Sequence, residues 1–297
     1  MHIPVLLQEV IENLAPKEGM TILDCTLGGG GHSKEICSRI GKKGMLIGLD
    51  QDEASLAKVR EEMEKCGCAF TAVNENFRNL DTVLEQMHIQ SVSGILFDLG
   101  LREDQLSSSG RGFSFRKDEP LIMTFSSELR QGKLTAYEVV NAWSEGEIGR
   151  ILKEYGEERF ARRIAKGIVV FRKNKPIQTT YDLVRIIEES TPIFYRKGRQ
   201  HAARKTFQAL RIAVNDELGA LREGLTKAQM HVGIGGRIAV ISFHSLEDRI
   251  VKHFFKDIQK VGNWKIITKK PIVPSDVETE RNPLARSAKL RVIEKTH

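Results

Sequence analysis

The chain has 297 residues, 40% of them apolar, enough to bury a full core as one large domain or two smaller ones. Its formal charge of +7 makes an anionic partner a candidate alongside a plain basic surface. No apolar run reaches about eighteen residues and the N-terminus lacks a signal peptide's basic start and apolar core, so the expectation is a cytoplasmic protein with no membrane partner. The four cysteines, Cys25, Cys37, Cys66 and Cys68, include no C-x-x-C pair, and reduced, mostly buried thiols are expected.

A short helix is expected over residues 8–14, apolar at Val10, Ile11 and Leu14. The stretch that follows organises the chain: Thr21-Ile22-Leu23-Asp24-Cys25-Thr26-Leu27, then the glycines Gly28 to Gly31, then His32 and a helix opening at Ser33. Glycines at a strand-to-helix turn let backbone approach a ligand closely, and the helix N-terminus beyond offers free N–H groups and partial positive charge. A second strand, Met45-Leu46-Ile47-Gly48-Leu49, ends on Asp50. That acid follows the glycines by about twenty residues, where nucleotide-binding folds keep the carboxylate that holds a ribose diol. The pair points to a nucleoside-containing cofactor; a Gly-rich turn followed by a surface acid is the blander alternative.

A charged helix over 53–65 leads to a third strand over 69–73, and the chain continues through Asn76-Phe77 into a helix over 79–87. Strand four, Gly94-Ile95-Leu96-Phe97, ends in Asp98-Leu99-Gly100. Alternating strands and helices predict a parallel doubly wound sheet with ligands at the strands' carboxyl ends. An acid directly after Ile95-Leu96-Phe97 is a poor candidate for solvated surface and a good one for chemistry. The pattern then breaks. Residues 106–212 show helical periodicity over 136–143, 145–155, 158–171 and 180–189, and are rich in arginine and lysine, among them Arg159, Arg163, Arg199 and Arg204. They read as a helical domain inserted between sheet-domain segments 1–105 and 213–297. Alternation resumes with a helix over 215–229, a fifth strand over 237–243 and the segment His244-Ser245-Leu246-Glu247-Asp248, in which Ser245 and Asp248 have the spacing of a helix capping box. Two last strands, over 264–268 and 289–293, complete a seven-stranded sheet with a closing hairpin. That architecture is usual for S-adenosylmethionine-dependent methyltransferases.

Several blocks carry a more specific resemblance. They are His2-Ile3-Pro4-Val5-Leu6-Leu7, Gly110-Arg111-Gly112-Phe113-Ser114-Phe115-Arg116, Tyr155-Gly156-Glu157-Glu158-Arg159, Thr206-Phe207-Gln208-Ala209-Leu210-Arg211, Ser242-Phe243-His244-Ser245-Leu246-Glu247-Asp248-Arg249 and Arg286-Ser287-Ala288-Lys289-Leu290-Arg291. Essentially end to end, they closely resemble the RsmH (MraW) family of bacterial 16S ribosomal RNA cytosine-N4 methyltransferases. The resemblance implies a Rossmann-like seven-stranded sheet with an inserted helical RNA-recognition domain, S-adenosyl-L-methionine as methyl donor, and small-subunit ribosomal RNA or the assembled subunit as partner. Carried over by position, the cofactor contacts fall on Gly30, Gly31, His32, Asp50, Phe77, Asp98 and Gln105. Core packing is the competing reading for Phe77.

Cytosine N4 is a poor nucleophile that must be held in line with the methyl group and lose a proton. Asp98, or a backbone carbonyl beside it, is the expected acceptor, with His244 and Glu247 as further substrate-side candidates; a sulfonium donor requires no metal. Phe113, Phe115 and Phe207 are candidates for stacking on an extruded base, with the insert's own core as the alternative. The chain departs from the family pattern at Leu101-Arg102-Glu103-Asp104, Thr124-Phe125-Ser126 and Ala202-Ala203-Arg204-Lys205. Those changes leave open a diverged paralogue with another RNA target, or a non-catalytic cofactor- or RNA-binding factor in ribosome assembly. A nicotinamide-dependent dehydrogenase would leave the basic insert unexplained. Monomer and homodimer are both compatible with the sequence.

Overall fold

The computed structural model describes residues 4–127, 132–198 and 200–297; His2, Ile3 and Arg199 of the motifs above lie outside them. Contacts divide the chain into two units, Met1–Gly100 with Leu218–His297, and Leu101–Glu217. The sequence reading places the joints at 105/106 and 212/213, five residues inside these at each end.

The first unit is built on seven strands: β1 Thr21–Asp24, β2 Met45–Asp50, β3 Ala69–Asn74, β4 Val92–Asp98, β5 Val232–Ser242, β6 Trp264–Ile266 and β7 Lys289–Lys295. Their order is β3-β2-β1-β4-β5-β7-β6. The first five run parallel, and β7 lies antiparallel between β5 and β6. The central strands are apolar on both faces because helices cover both. Side chains alternate accordingly. Leu23, Ile95, Phe97, Ile238 and Val240 enter one core. Ile22, Leu96, Ala239, Ile241 and Leu290 enter the other. Sequence order reverses between β1 and β4, the crevice where doubly wound sheets take ligands.

The helices, in chain order, are α1 Leu7–Leu14, α2 Gly31–Ile40, α3 Glu53–Met63, α4 Leu80–Gln86, α5 Glu103–Ser108, α6 Ala136–Ala142, α7 Glu145–Glu154, α8 Ala161–Arg172, α9 Thr180–Ser190, α10 Ile193–Arg196, α11 Arg204–Asn215, α12 Glu217–His231, α13 Ser245–Lys260 and α14 Asp276–Arg281. α5, α10, α11 and α14 are additions to the sequence reading; α5, α10 and α14 are too brief to show a 3.6-residue period, whereas α11 is twelve residues long. Strand five begins five residues earlier than expected: it runs from Val232 through the glycines, with a register shift against Val92 and Gly94. Among the described residues, no helix is long and apolar enough to cross a membrane.

The second unit is helical, and its described residues hold only an isolated bridge, Pro120 with Thr179. Its separate core gathers Val139, Ile151, Ile164, Ile186, Phe207 and Leu210. Asn215 closes α11 onto the preceding loop, donating from Nδ2 to the Met123 carbonyl at 2.8 Å and accepting from Phe125 N–H at 2.8 Å. Arg211 grips Glu217 with two bonds of 2.7 and 2.8 Å. The block around Phe207 to Asn215 therefore acts as the brace of this unit.

One expectation is corrected. Cys37, in α2, and Cys68, before β3, are joined as a disulfide, leaving Cys25 and Cys66 as free thiols. A separation of 31 residues carries no spacing signal. Their meeting follows from α2 and β3 flanking the same β2.

Candidate active site

Parallel register brings three strand-terminal acids to one edge of the sheet. Asp24 ends β1, Asp50 ends β2 and Asp98 ends β4, with Asp24 beside Leu96 and Asp98 beside Ile241 in the ladder. The glycine loop runs across the same edge. Gly30 sits at φ +73°, and a Cβ there would lie 2.9 Å from Val59; one on Gly31 would lie 2.4 Å from Pro4. Both positions exclude a side chain, so backbone alone lines this turn into α2. Asp50 ties the loop down. Its carboxylate accepts Gly28 N–H at 2.8 Å and Asp52 N–H at 2.8 Å.

Asp24 was not among the site residues expected from the sequence, yet it links the other groups. It is 1% exposed. It accepts the Ser33 hydroxyl at 2.7 Å and Thr26 N–H at 3.1 Å, while Thr26 Oγ1 accepts Asp98 N–H at 2.6 Å. Burial pushes its pKa up to about 6 against the pull of these hydrogen bonds. Its signal in the sequence was the one shared by Asp50 and Asp98: an acid ending an apolar strand.

Asp98 is held well above the usual carboxylate range, first by burial and then by repulsion from Asp24 and Glu247. Its Oδ1 is buried with no hydrogen-bond partner, and its Oδ2 lies 3.5 Å from His32 Nδ1. His32 Nε2 is 2.9 Å from the Val5 carbonyl, which can only accept, so that nitrogen carries a proton. Among the described residues no lysine or arginine lowers the pKa of Asp24 or Asp98. Two acids at this edge, Asp24 buried and Asp98 half-buried with its Oδ1 unpaired and no lysine or arginine beside it among the described residues, fit a cationic ligand bearing hydrogen-bond donors. The ammonium of S-adenosyl-L-methionine meets that description.

The remaining expected residues fall as follows. Phe77 meets Phe97 edge-on at 5.5 Å, and a Cβ on Gly224 would lie 2.9 Å from its ring. It is part of the sheet unit's packing whatever else it touches. His244 and Glu247 stand at the end of β5. They, and not Ser245 and Asp248, form the capping box of α13: His244 is its N-cap, and Glu247 Oε2 accepts Phe243 N–H at 2.8 Å and His244 N–H at 3.2 Å. Asp248 instead receives Arg291 at 2.7 Å and Lys289 at 3.3 Å. Gln105 belongs to the helical unit, 5% exposed, where its Oε1 accepts Arg102 N–H at 3.1 Å at the start of α5.

Of the three aromatics offered for base stacking, two are core. Phe113 and Phe207 are 5% and 4% exposed. Phe113 stacks on Phe125 at 5.9 Å, and Phe115 stacks on His201 at 4.5 Å with Phe207 at its edge.

Comparison with known proteins gives the following. Residues 1–296 match the MraW methylase family. A curated relative, ribosomal RNA small subunit methyltransferase H of Brevibacillus brevis, is 44% identical over 309 aligned positions, covering 99% of this chain and 98% of the relative. Among solved structures, an rRNA methylase from Streptococcus thermophilus is 11% identical, with a TM-score of 0.43 over 98% of this chain and 94% of its own. NSun6 from Pyrococcus horikoshii is 13% identical, with a TM-score of 0.48 over 100% of this chain and 53% of its own.

Proposed function

Because the chain belongs to the MraW methylase family, we propose that it methylates small-subunit (16S) ribosomal RNA at the exocyclic N4 of a cytidine, using S-adenosyl-L-methionine. The observation that carries the site assignment is Asp98: half-buried, with no lysine or arginine beside it among the described residues and with its Oδ1 buried and unsatisfied at the carboxyl edge of the sheet.

The donor, when bound, supplies a methyl group on a positively charged sulfur. The chain's residues do the rest. The Gly30–Gly31 backbone and the N-terminus of α2 admit the methionine end, and Asp50 accepts from the ribose hydroxyls. His32 and Phe77 complete the expected cofactor contacts on this unit. Asp98 Oδ1 accepts a hydrogen bond from the target amine, orients its lone pair and takes up the proton released on transfer. A raised pKa suits that task, because a carboxylate whose pKa lies above the ordinary range is a stronger base. Glu247 and His244 shape the end of β5 next to it; their capping bonds make positioning the role we assign them. Activity accordingly rises with pH as Asp98 ionises.

The helical unit supplies the RNA-recognition surface, and the setting is the cytoplasm, where ribosomal subunits are assembled. The departures from the family pattern support retained activity. Ala202 and Ala203 are 3% and 0% exposed, packed in the helical unit's own core, and Thr124 is 4% exposed with its hydroxyl donated to the Ser126 carbonyl. Changes absorbed by packing leave the acids at the sheet edge untouched.

Asp98→Asn tests the assignment. It should abolish methyl transfer and, by removing the charge that faces the donor's cation, also weaken donor binding measured by calorimetry. A fully active variant would remove Asp98 from the reaction.

A further inference from the structure

Phe113 and Phe207 are buried and Phe115 is half-buried and stacked on His201, so a more exposed aromatic of the helical unit is a better candidate to face RNA. Phe194 is 63% exposed, as is its neighbour Ile193. Exposing two large apolar side chains side by side forfeits burial that a monomer would ordinarily take. Phe194 is nevertheless rigidly mounted. It lies on α10, whose Tyr195 donates its hydroxyl to Glu158 Oε2 at 2.6 Å. Glu158 is 3% exposed and also accepts Phe160 N–H at 2.8 Å. The Phe160 ring meets Tyr195 at 4.9 Å and Phe194 at 6.3 Å.

Cations surround this mount. The Arg159 guanidinium lies 4.8 Å from the Phe160 ring centroid and 5.6 Å from that of Phe194, and Arg163 lies 5.9 Å from Phe160. Arg204 is close enough for its charge to be felt at Tyr195. Arg159, Arg163 and Arg204 are all exposed. Glu158, the acid bonded to Tyr195, is occupied beneath the rings.

We infer that Phe194 and the arginines around it form a stacking platform for a single-stranded segment of the RNA substrate, the ring taking a base and the guanidinium groups the adjoining phosphates. An apolar ring alone would suit a protein partner equally. Cations stacked on and beside the ring suit a polyanion with flat bases, and base–aromatic stacking is tolerant of sequence. This inference rests on the RNA-methyltransferase reading and adds to it a surface outside the reacting site.

The test is binding of the full chain to an unstructured RNA oligonucleotide and to small-subunit ribosomal RNA, by fluorescence anisotropy at several salt concentrations. Phe194→Ala should weaken binding by about 5- to 150-fold, the range for losing one base–aromatic stack. Phe194→Trp should retain it, and the thermal midpoint of both should stay at that of the parent because the side chain is solvent-facing. Arg159→Ala should reduce the slope of log affinity against log salt. Parent-like RNA affinity in Phe194→Ala would overturn the platform while leaving the enzyme reading intact. No RNA binding by the parent chain would overturn that reading itself. Loss of self-association in Phe194→Ala, with RNA affinity unchanged, would assign the patch to a second copy and also overturn the inference.

Discussion

Asp24→Asn gives the most direct view of the electrostatics on which the site depends. Asp24 is 1% exposed and its pKa is raised from 3.8 to about 6. The folded state therefore holds this proton more tightly than the unfolded chain does. The stability it contributes is complete below pH about 4 and is lost as pH rises through about 6. Moving this ionisation from 3.8 to about 6 corresponds to about 3 kcal/mol. Asparagine keeps an oxygen for Thr26 N–H and offers an amide to the Ser33 oxygen, so its packing offset does not vary with pH. Urea unfolding of both proteins between pH about 3.5 and 7 should show the variant gaining about 3 kcal/mol on the parent across that interval. Removing Asp24's charge also eases the repulsion on Asp98, which adds to the trend with the same sign. A difference that stays flat or falls with pH would refute the acidic pair, and with it the argument that this edge awaits a cation.

Further expectations follow from neighbouring contacts. Asp50→Ala removes the acceptor expected for the ribose diol, and should weaken S-adenosyl-L-methionine binding by about 1–3 kcal/mol, read by calorimetry; unchanged affinity would sink the ribose assignment. Glu247→Ala strands the Phe243 and His244 N–H groups that its carboxylate now satisfies, for a loss of about 2–5 kcal/mol in chemical denaturation. Parent-like stability would mean the capping role is wrong. Reducing the Cys37–Cys68 bond opens a 31-residue loop and should lower stability by about 3–4 kcal/mol on the chain-entropy model. Thiol titration of the unreduced, denatured chain should find Cys25 and Cys66 alone, and titration of all four would refute the linkage.

The sheet and its ligand edge were legible because they are written locally. An apolar strand, a run of glycines and a helix start are contiguous, and Asp50 and Asp98 each close an apolar strand. Asp24 carried that signal too, yet its importance comes from Ser33, Thr26 and Asp98, contacts that only the fold assembles. The α13 cap was misread by one residue because serine is a favoured N-cap and histidine is not; here Glu247 reaches back to two N–H groups and decides the matter. Exposure of aromatics was beyond local pattern altogether. Phe113 and Phe207 sit in blocks shared with the family and proved to be core, whereas Phe194 stands in a four-residue helix with no periodicity and proved to be surface. The disulfide was invisible for the same reason, its halves meeting only through β2.

The central claim is methyl transfer to cytidine N4 in small-subunit ribosomal RNA. Its most direct test is incubation of the chain with labelled S-adenosyl-L-methionine and small subunits, or their naked RNA, from cells lacking this methylation, followed by mass spectrometry of the nucleosides. The account predicts label in N4-methylcytidine, lost with Asp98→Asn. Label in a different nucleoside, or none while donor binding remains measurable, would contradict it.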